Sequence, residues 1–189
     1  MLNVKSLALA CATLLPTTAL ADWNGPYVGG SVGSASNIEQ EINNDAFLDY
    51  EFEDRTAFGG FLGTRTDAGN LVYGGEVALE FLADDDTDDA NSGGADVDYI
   101  FDIKGIAGVP LGDALAYAIL SVSVAGGTYD AVNDMSAGGI GFGAGAAYKL
   151  NDNFSISGEY LSRSLSEEFE EGTYDVTADT ITFRAAYNF

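Results

Sequence analysis

Histidine is absent from this 189-residue chain, and Cys11 is its only cysteine. Without an imidazole there is no Ser-His-Asp triad, no His-ligated zinc site and no His-based acid–base chemistry. One thiol cannot close an intrachain disulfide or supply a thiolate metal cluster. Basic side chains are scarce, with Lys+Arg 7 against Asp+Glu 30 and a formal net charge of -23. That balance excludes a nucleic-acid partner, because neutralising phosphates takes Lys and Arg. Long apolar runs are also missing. The best later stretch, Ala114 to Ala125, is interrupted by Ser121 and Ser123. It falls short of the roughly 20 residues that a membrane-crossing helix needs.

The first residues have the form of an export signal. Lys5 gives a basic start, Ser6 to Leu15 is mostly apolar, and Ala19-Leu20-Ala21 places small residues where a signal peptidase cuts. The expectation is a cleavable signal peptide over 1–21 and a mature domain over 22–189. The apolar run is too short to anchor the chain in a bilayer. Cys11 follows Ala8-Leu9-Ala10, a poor lipobox, with almost no apolar run between it and Lys5.

What the rest of the chain has in abundance is alternation. Leu71, Tyr73, Val77, Leu79 and Phe81 share one parity, while Glu76 and Glu80 share the other. Val97, Tyr99, Phe101 and Ile103 alternate with Asp98, Asp102 and Lys104. Ile181, Phe183, Ala185, Tyr187 and Phe189 alternate with Thr180, Thr182, Arg184 and Asn188. A period of two is strand periodicity, since successive side chains leave opposite faces. Eight such segments can be drawn: Pro26–Ser36, Thr56–Thr66, Asn70–Leu82, Val97–Val109, Ala114–Gly126, Ser136–Leu150, Asn153–Ser164 and Asp175–Phe189. They exceed the usual soluble strand of about 5–6 residues and suit tilted strands that cross a bilayer. Connections after the second, fourth and sixth are short and rich in Gly, Pro, Asn and Asp, which make tight turns. Those after the first, third, fifth and seventh read as long.

Alternating faces, long strands and two kinds of connection together predict an all-β fold, an eight-stranded antiparallel up-and-down transmembrane β-barrel. In such barrels short turns face the periplasm and long loops the exterior. The expected location is therefore the bacterial outer membrane, with both termini periplasmic. Most of the 30 acidic residues fall in or beside the four long connections, so the acidity belongs to one end. Its densest point is Asp84-Asp85-Asp86-Thr87-Asp88-Asp89. Hard cations favour carboxylate oxygens, so Asp84, Asp86 and Asp88 are a weak candidate for divalent-cation association. They are not an EF-hand: Asp89 stands where the loop needs Gly, and Ala95 where it needs Glu.

Three segments resemble a known family. Gly25-Pro26-Tyr27-Val28-Gly29-Gly30 looks like the first strand of the opacity-type outer-membrane porins, and Phe154-Ser155-Ile156-Ser157-Gly158-Glu159-Tyr160 like their seventh. Ile181 to Phe189 resembles the C-terminal signal of bacterial barrels, ending on an aromatic. The resemblance implies the eight-stranded barrel shared with the OmpA-like membrane domain. It also implies that Phe183, Tyr187 and Phe189 are read by the barrel-assembly machinery.

The candidate site is the polar face of the strands. Glu76, Glu80, Asp102, Lys104, Glu159, Arg163 and Arg184, with Lys149, would point into a lumen just wide enough to be filled by side chains. Buried charges there must pair, and Glu159 and Arg184, on neighbouring strands, are the expected partners. The aromatics near strand ends, Tyr27, Tyr73, Phe81, Tyr99, Tyr117, Tyr148, Tyr160, Tyr187 and Phe189, read as interfacial girdles. Trp23 reads as sitting at the periplasmic edge.

The functional expectation is a non-enzymatic outer-membrane barrel with a structural, porin-like or surface-interaction role and no cofactor. Its partners would be outer-membrane lipid, lipopolysaccharide and, through the acidic loops, divalent cations. Those loops disfavour polyanionic sugars such as heparin. The competing readings are a secreted soluble barrel that binds a small ligand and a barrel enzyme acting on lipid A. The first needs an apolar interior and a polar exterior.

Overall fold

The computed structural model describes residues 22–42, 55–83, 95–129, 133–169 and 172–189. They form eight strands: β1 (Gly25–Ile42), β2 (Arg55–Asp67), β3 (Val72–Leu82), β4 (Ala95–Leu111), β5 (Ala114–Tyr129), β6 (Asn133–Lys149), β7 (Phe154–Phe169) and β8 (Gly172–Asn188). Each pairs antiparallel with the next, and β8 returns to β1 through a ladder from Tyr27↔Asn188 to Ile42↔Tyr174, so the barrel is closed. Closure removes both sheet edges and satisfies the backbone within the sheet, the condition for strands to cross a bilayer.

One end is built from tight turns. Asp67 Oδ1 accepts from the Gly69 amide at 2.8 Å, and Asn151 Oδ1 accepts from the Asn153 and Phe154 amides at 2.9 Å. The β4–β5 turn passes through Gly112 at φ 69°, a left-handed backbone that costs glycine nothing. At the other end two of the expected long connections are absent. The β5–β6 ladder runs on to Tyr129↔Asn133 and the β7–β8 ladder to Phe169↔Gly172. A strand of 16 or 17 residues at about 3.3 Å per residue, tilted by about 40°, stands roughly 40 Å tall, more than the apolar band of about 25 Å. Past that band nothing demands an apolar parity. The period-two signal of the sequence fades there while the backbone ladder continues. The connections after the first and third strands, with Asp84, Asp86 and Asp88, lie outside the described residues.

The two faces differ as the alternation requires. Outward positions carry Leu62, Leu120, Ile140, Phe142, Ile181 and Phe183, all strongly exposed. Inward positions are ionised or hydroxylated at mid-height and apolar above and below. From loop end to turn end, the inward residues run Leu82, Glu80, Glu76, Val72 on β3; Ile100, Asp102, Lys104, Ile106 on β4; and Ala125, Ser123, Ser121, Leu115 on β5. A soluble ligand-binding barrel would have the reverse polarity. Val97 departs from its sequence parity. A β-bulge between Val97 and Tyr99 inserts one residue opposite β5, so Val97 turns inward to join Ile100.

Candidate functional site

Seven of the eight ionisable residues expected in the lumen are buried there, in two groups; Lys149 lies half-buried at the turn end. The first joins four strands. Arg184 on β8 donates through Nη2 to Glu76 Oε1 at 2.6 Å and through Nη1 to Glu159 Oε1. Lys104 Nζ lies 3.0 Å from Glu159 Oε2 and 3.5 Å from Glu76 Oε1. Two acids and two bases thus form a neutral ring in which every member has two ionic partners. Two phenols complete it: Tyr27 donates to Glu76 Oε2 at 2.9 Å and Tyr117 to Glu159 Oε1 at 2.8 Å. Phe61 covers the guanidinium of Arg184 at 3.6 Å, a cation–π contact worth about 0.5–2 kcal/mol.

The second group lies nearer the loop end and centres on Arg163, which is wholly buried. Its guanidinium grips Asp102 in a fork, Nε to Oδ1 at 3.0 Å and Nη2 to Oδ2 at 2.6 Å. Nη2 also reaches Glu80 Oε2 at 3.3 Å, and Nη1 donates to Thr180 Oγ1 at 2.9 Å. Ser123 donates to Asp102 Oδ1 at 2.6 Å and sits 3.1 Å from the Ser121 hydroxyl. Here one base serves two acids. Desolvating an ion costs several kcal/mol even after relaxation, so such groups are tolerable only when paired and hydrogen-bonded.

The aromatic girdle holds in part. Tyr73, Phe81, Tyr99, Tyr148, Tyr160, Tyr187 and Phe189 are exposed on the outer surface, but Tyr27 and Tyr117 point into the lumen and are buried. Their hydroxyls are donors that the carboxylates need, which overrides the placement suggested by aromatic character. Room for Tyr117 comes from Gly145, where a Cβ would collide with the phenol ring. Phe183, Tyr187 and Phe189 share the outward side, and Tyr187 meets Phe189 edge-on at 5.1 Å.

The turn-end mouth holds residues that sequence reasoning passed over or misplaced. Trp23 is inside the mouth rather than on its edge, 2% exposed and packed with Val72, Ile106 and Leu115. Residues Asp22 to Asn24 strap across it. The Trp23 amide donates to Asp67 Oδ2 at 3.3 Å, Asn24 Oδ1 accepts from the Asp67 amide at 2.7 Å, and Lys149 Nζ donates to the Asp22 carbonyl. Hydrogen bonds from the Asn24 backbone and side-chain amides hold the exposed Asp22 carboxyl below its ordinary pKa. Arg65, on β2, is 5% exposed and stacks on Tyr27 at 3.9 Å and Trp23 at 5.5 Å. Its signal was available. It shares parity with Arg55 and Asp67, but the glycine-rich middle of β2 gives no alternation against which to read it.

Chemically the lumen is a plug. Ser123 and Asp102 touch, but both are fully buried and the carboxylate is held by Arg163. The geometry defines a membrane-spanning barrel with an apolar exterior and charges paired at mid-height inside. Residues 7–189 match the outer membrane protein beta-barrel domain family, and the chain belongs to it. Comparison with curated proteins finds no significant match. Among solved structures the chain is similar to Neisserial surface protein A (14% identity, covering 87% of this chain and 97% of that one, TM-score 0.54). It is also similar to Ail, the attachment invasion locus protein of Yersinia pestis, in complex with the heparin analogue sucrose octasulfate (15%, 87% and 99%, 0.52). A third is the N-terminal β-barrel domain of Pseudomonas aeruginosa OprF (10%, 88% and 98%, 0.52). At these identities the likeness is one of fold.

Proposed function

We propose that this protein is a non-catalytic, non-conducting outer-membrane scaffold of the opacity type that displays acidic loops at the cell surface. The observation that carries this reading is the sequence of layers inside the barrel. The ionised groups at mid-height are paired with one another and lie between an apolar cluster around Leu82, Ile100 and Leu165 and another around Trp23, Val72 and Leu115. An ion crossing the lumen would have to break buried pairs and pass two apolar layers. What is left to meet other molecules is then the loop end.

In this reading the tight turns and both termini face the periplasm. The loops carry Asp84, Asp86 and Asp88 outward, where divalent cations bridge them to lipopolysaccharide phosphates. Phe183, Tyr187 and Phe189 serve as the signal for the barrel-assembly machinery. A polyanionic sugar of the kind seen on Ail is a poor partner for a chain of charge -23. Planar-bilayer recording of the purified protein tests the plug: the expected trace has no discrete steps, and reproducible unitary conductance would sink the proposal. Loop orientation has its own check, because Cys11 is the only cysteine and falls in the expected signal peptide. Asp86→Cys should react with a membrane-impermeant maleimide on intact cells.

A further inference from the structure

Among the described residues, four buried side-chain polar atoms lack a hydrogen-bond partner, and three of them belong to Arg65 and Trp23: Nε and Nη1 of Arg65 and Nε1 of Trp23. All three are donors, and the two residues are in contact through the guanidinium and the indole. Buried polar groups are otherwise satisfied in native proteins, and an unsatisfied one calls for a water, an ion or a strain to explain it. Charge points the same way. Lys104, Arg163 and Arg184 each meet carboxylates, whereas Arg65 has no carboxylate partner among the described residues. A second cation stands at the same indole: Lys149 Nζ lies 5.2 Å from the Trp23 ring, half-buried at the rim. The guanidinium carbon lies over the rings of Tyr27 and Trp23, and a cation–π contact of that kind leaves N–H groups free to donate.

We infer that Arg65, Trp23 and Lys149 form a binding site for one small inorganic anion, of the halide or phosphate class, at the turn-end mouth of the barrel. Three buried donors without partners, one guanidinium charge among them, select a ligand that accepts; Lys149, which already donates to the Asp22 carbonyl, adds a second charge at the rim. Lys149 marks the approach from water, and Arg65 is the buried end of the site. The anion supplies the counter-charge that this guanidinium lacks. The strap of Asp22 to Asn24 lies over it.

Trp23 is the only tryptophan, so its fluorescence reports on this site alone. The chain from Asp22 to Phe189 is refolded in a neutral detergent, and folding is verified by heat-modified gel migration. Iodide is then titrated at constant ionic strength against a bulky organic anion, with chloride and phosphate as competitors. The expected result is a saturable quench that at least one competitor displaces. Arg65→Gln removes the saturable component, and Arg65→Lys, which keeps the charge but loses the fork, weakens it about tenfold. Lys149→Gln, on the rim and remote from the core pairs, weakens it about threefold and keeps the test alive if Arg65→Gln fails to fold. Linear quenching that no competitor displaces, or saturation unchanged in folded Arg65→Gln or Lys149→Gln, overturns the site and leaves the donors to water.

Discussion

The two charged groups inside this barrel solve one problem differently. In the ring of Glu76, Lys104, Glu159 and Arg184, charges balance and each ion has two ionic partners. In the group around Arg163, Asp102 and Glu80 both depend on a single guanidinium. Redundancy makes the ring tolerant of losing one member; concentration makes the second group depend on one residue. The Ser123 hydroxyl donates to Asp102 and the Thr180 hydroxyl accepts from Arg163, but neither brings charge.

The sharpest break comes from Arg163→Met, which strands two carboxylates in the interior. Removing one partner of a buried pair costs about 3–5 kcal/mol. We expect a loss of that size in urea unfolding from micelles, or failure of the folded band to appear on an unboiled gel. Arg184→Met should do less, because Lys104 still holds both Glu76 and Glu159. It converts the ring into two acids on one base, the arrangement the other group already has. A loss of about 2–3 kcal/mol is expected, the scale of hydrogen bonds to charged groups. If Arg184→Met proves as damaging as Arg163→Met, redundancy is not what protects the ring. The smallest effect is expected of Glu80→Gln. The amide can still accept from Arg163, and one buried charge is lost, so stability in the same assay should rise by up to about 1 kcal/mol. A clear fall would show that the second group needs both acids.

Much of this was legible before any coordinates. Strict alternation in β3, β4 and β8 assigned Glu76, Glu80, Asp102, Lys104 and Arg184 to one face, and the closed sheet makes that face the lumen. Parity fixes a face but not a depth or a partner. Partners across a sheared barrel lie far apart in sequence: Arg184 and Glu76 are 108 positions apart, Arg163 and Glu80 83. The bulge at Asp98 reversed Val97 without any mark in the sequence. Tyr27 and Tyr117 were misplaced because an aromatic near a strand end fits a girdle and a lumen equally well. Arg65 was hidden by glycines that erase alternation in β2. The strap of Asp22 to Asn24 has no period at all.

The span of the ring carries a consequence for how the molecule is made. Tyr27 comes from the first strand, Glu76 from the third, Lys104 from the fourth and Arg184 from the last. The β3–β4 hairpin brings Glu76 to Lys104 and the β7–β8 hairpin brings Glu159 to Arg184, but the second ionic contact of each, Lys104 to Glu159 and Arg184 to Glu76, joins one hairpin to the other. A sheet still lacking its last strand would leave Glu76 and Glu159 on the single base Lys104 until Arg184 arrived. The last strand is therefore expected to be the one that brings the ring to charge balance, so a chain cut short before β8 should insert less stably than the whole.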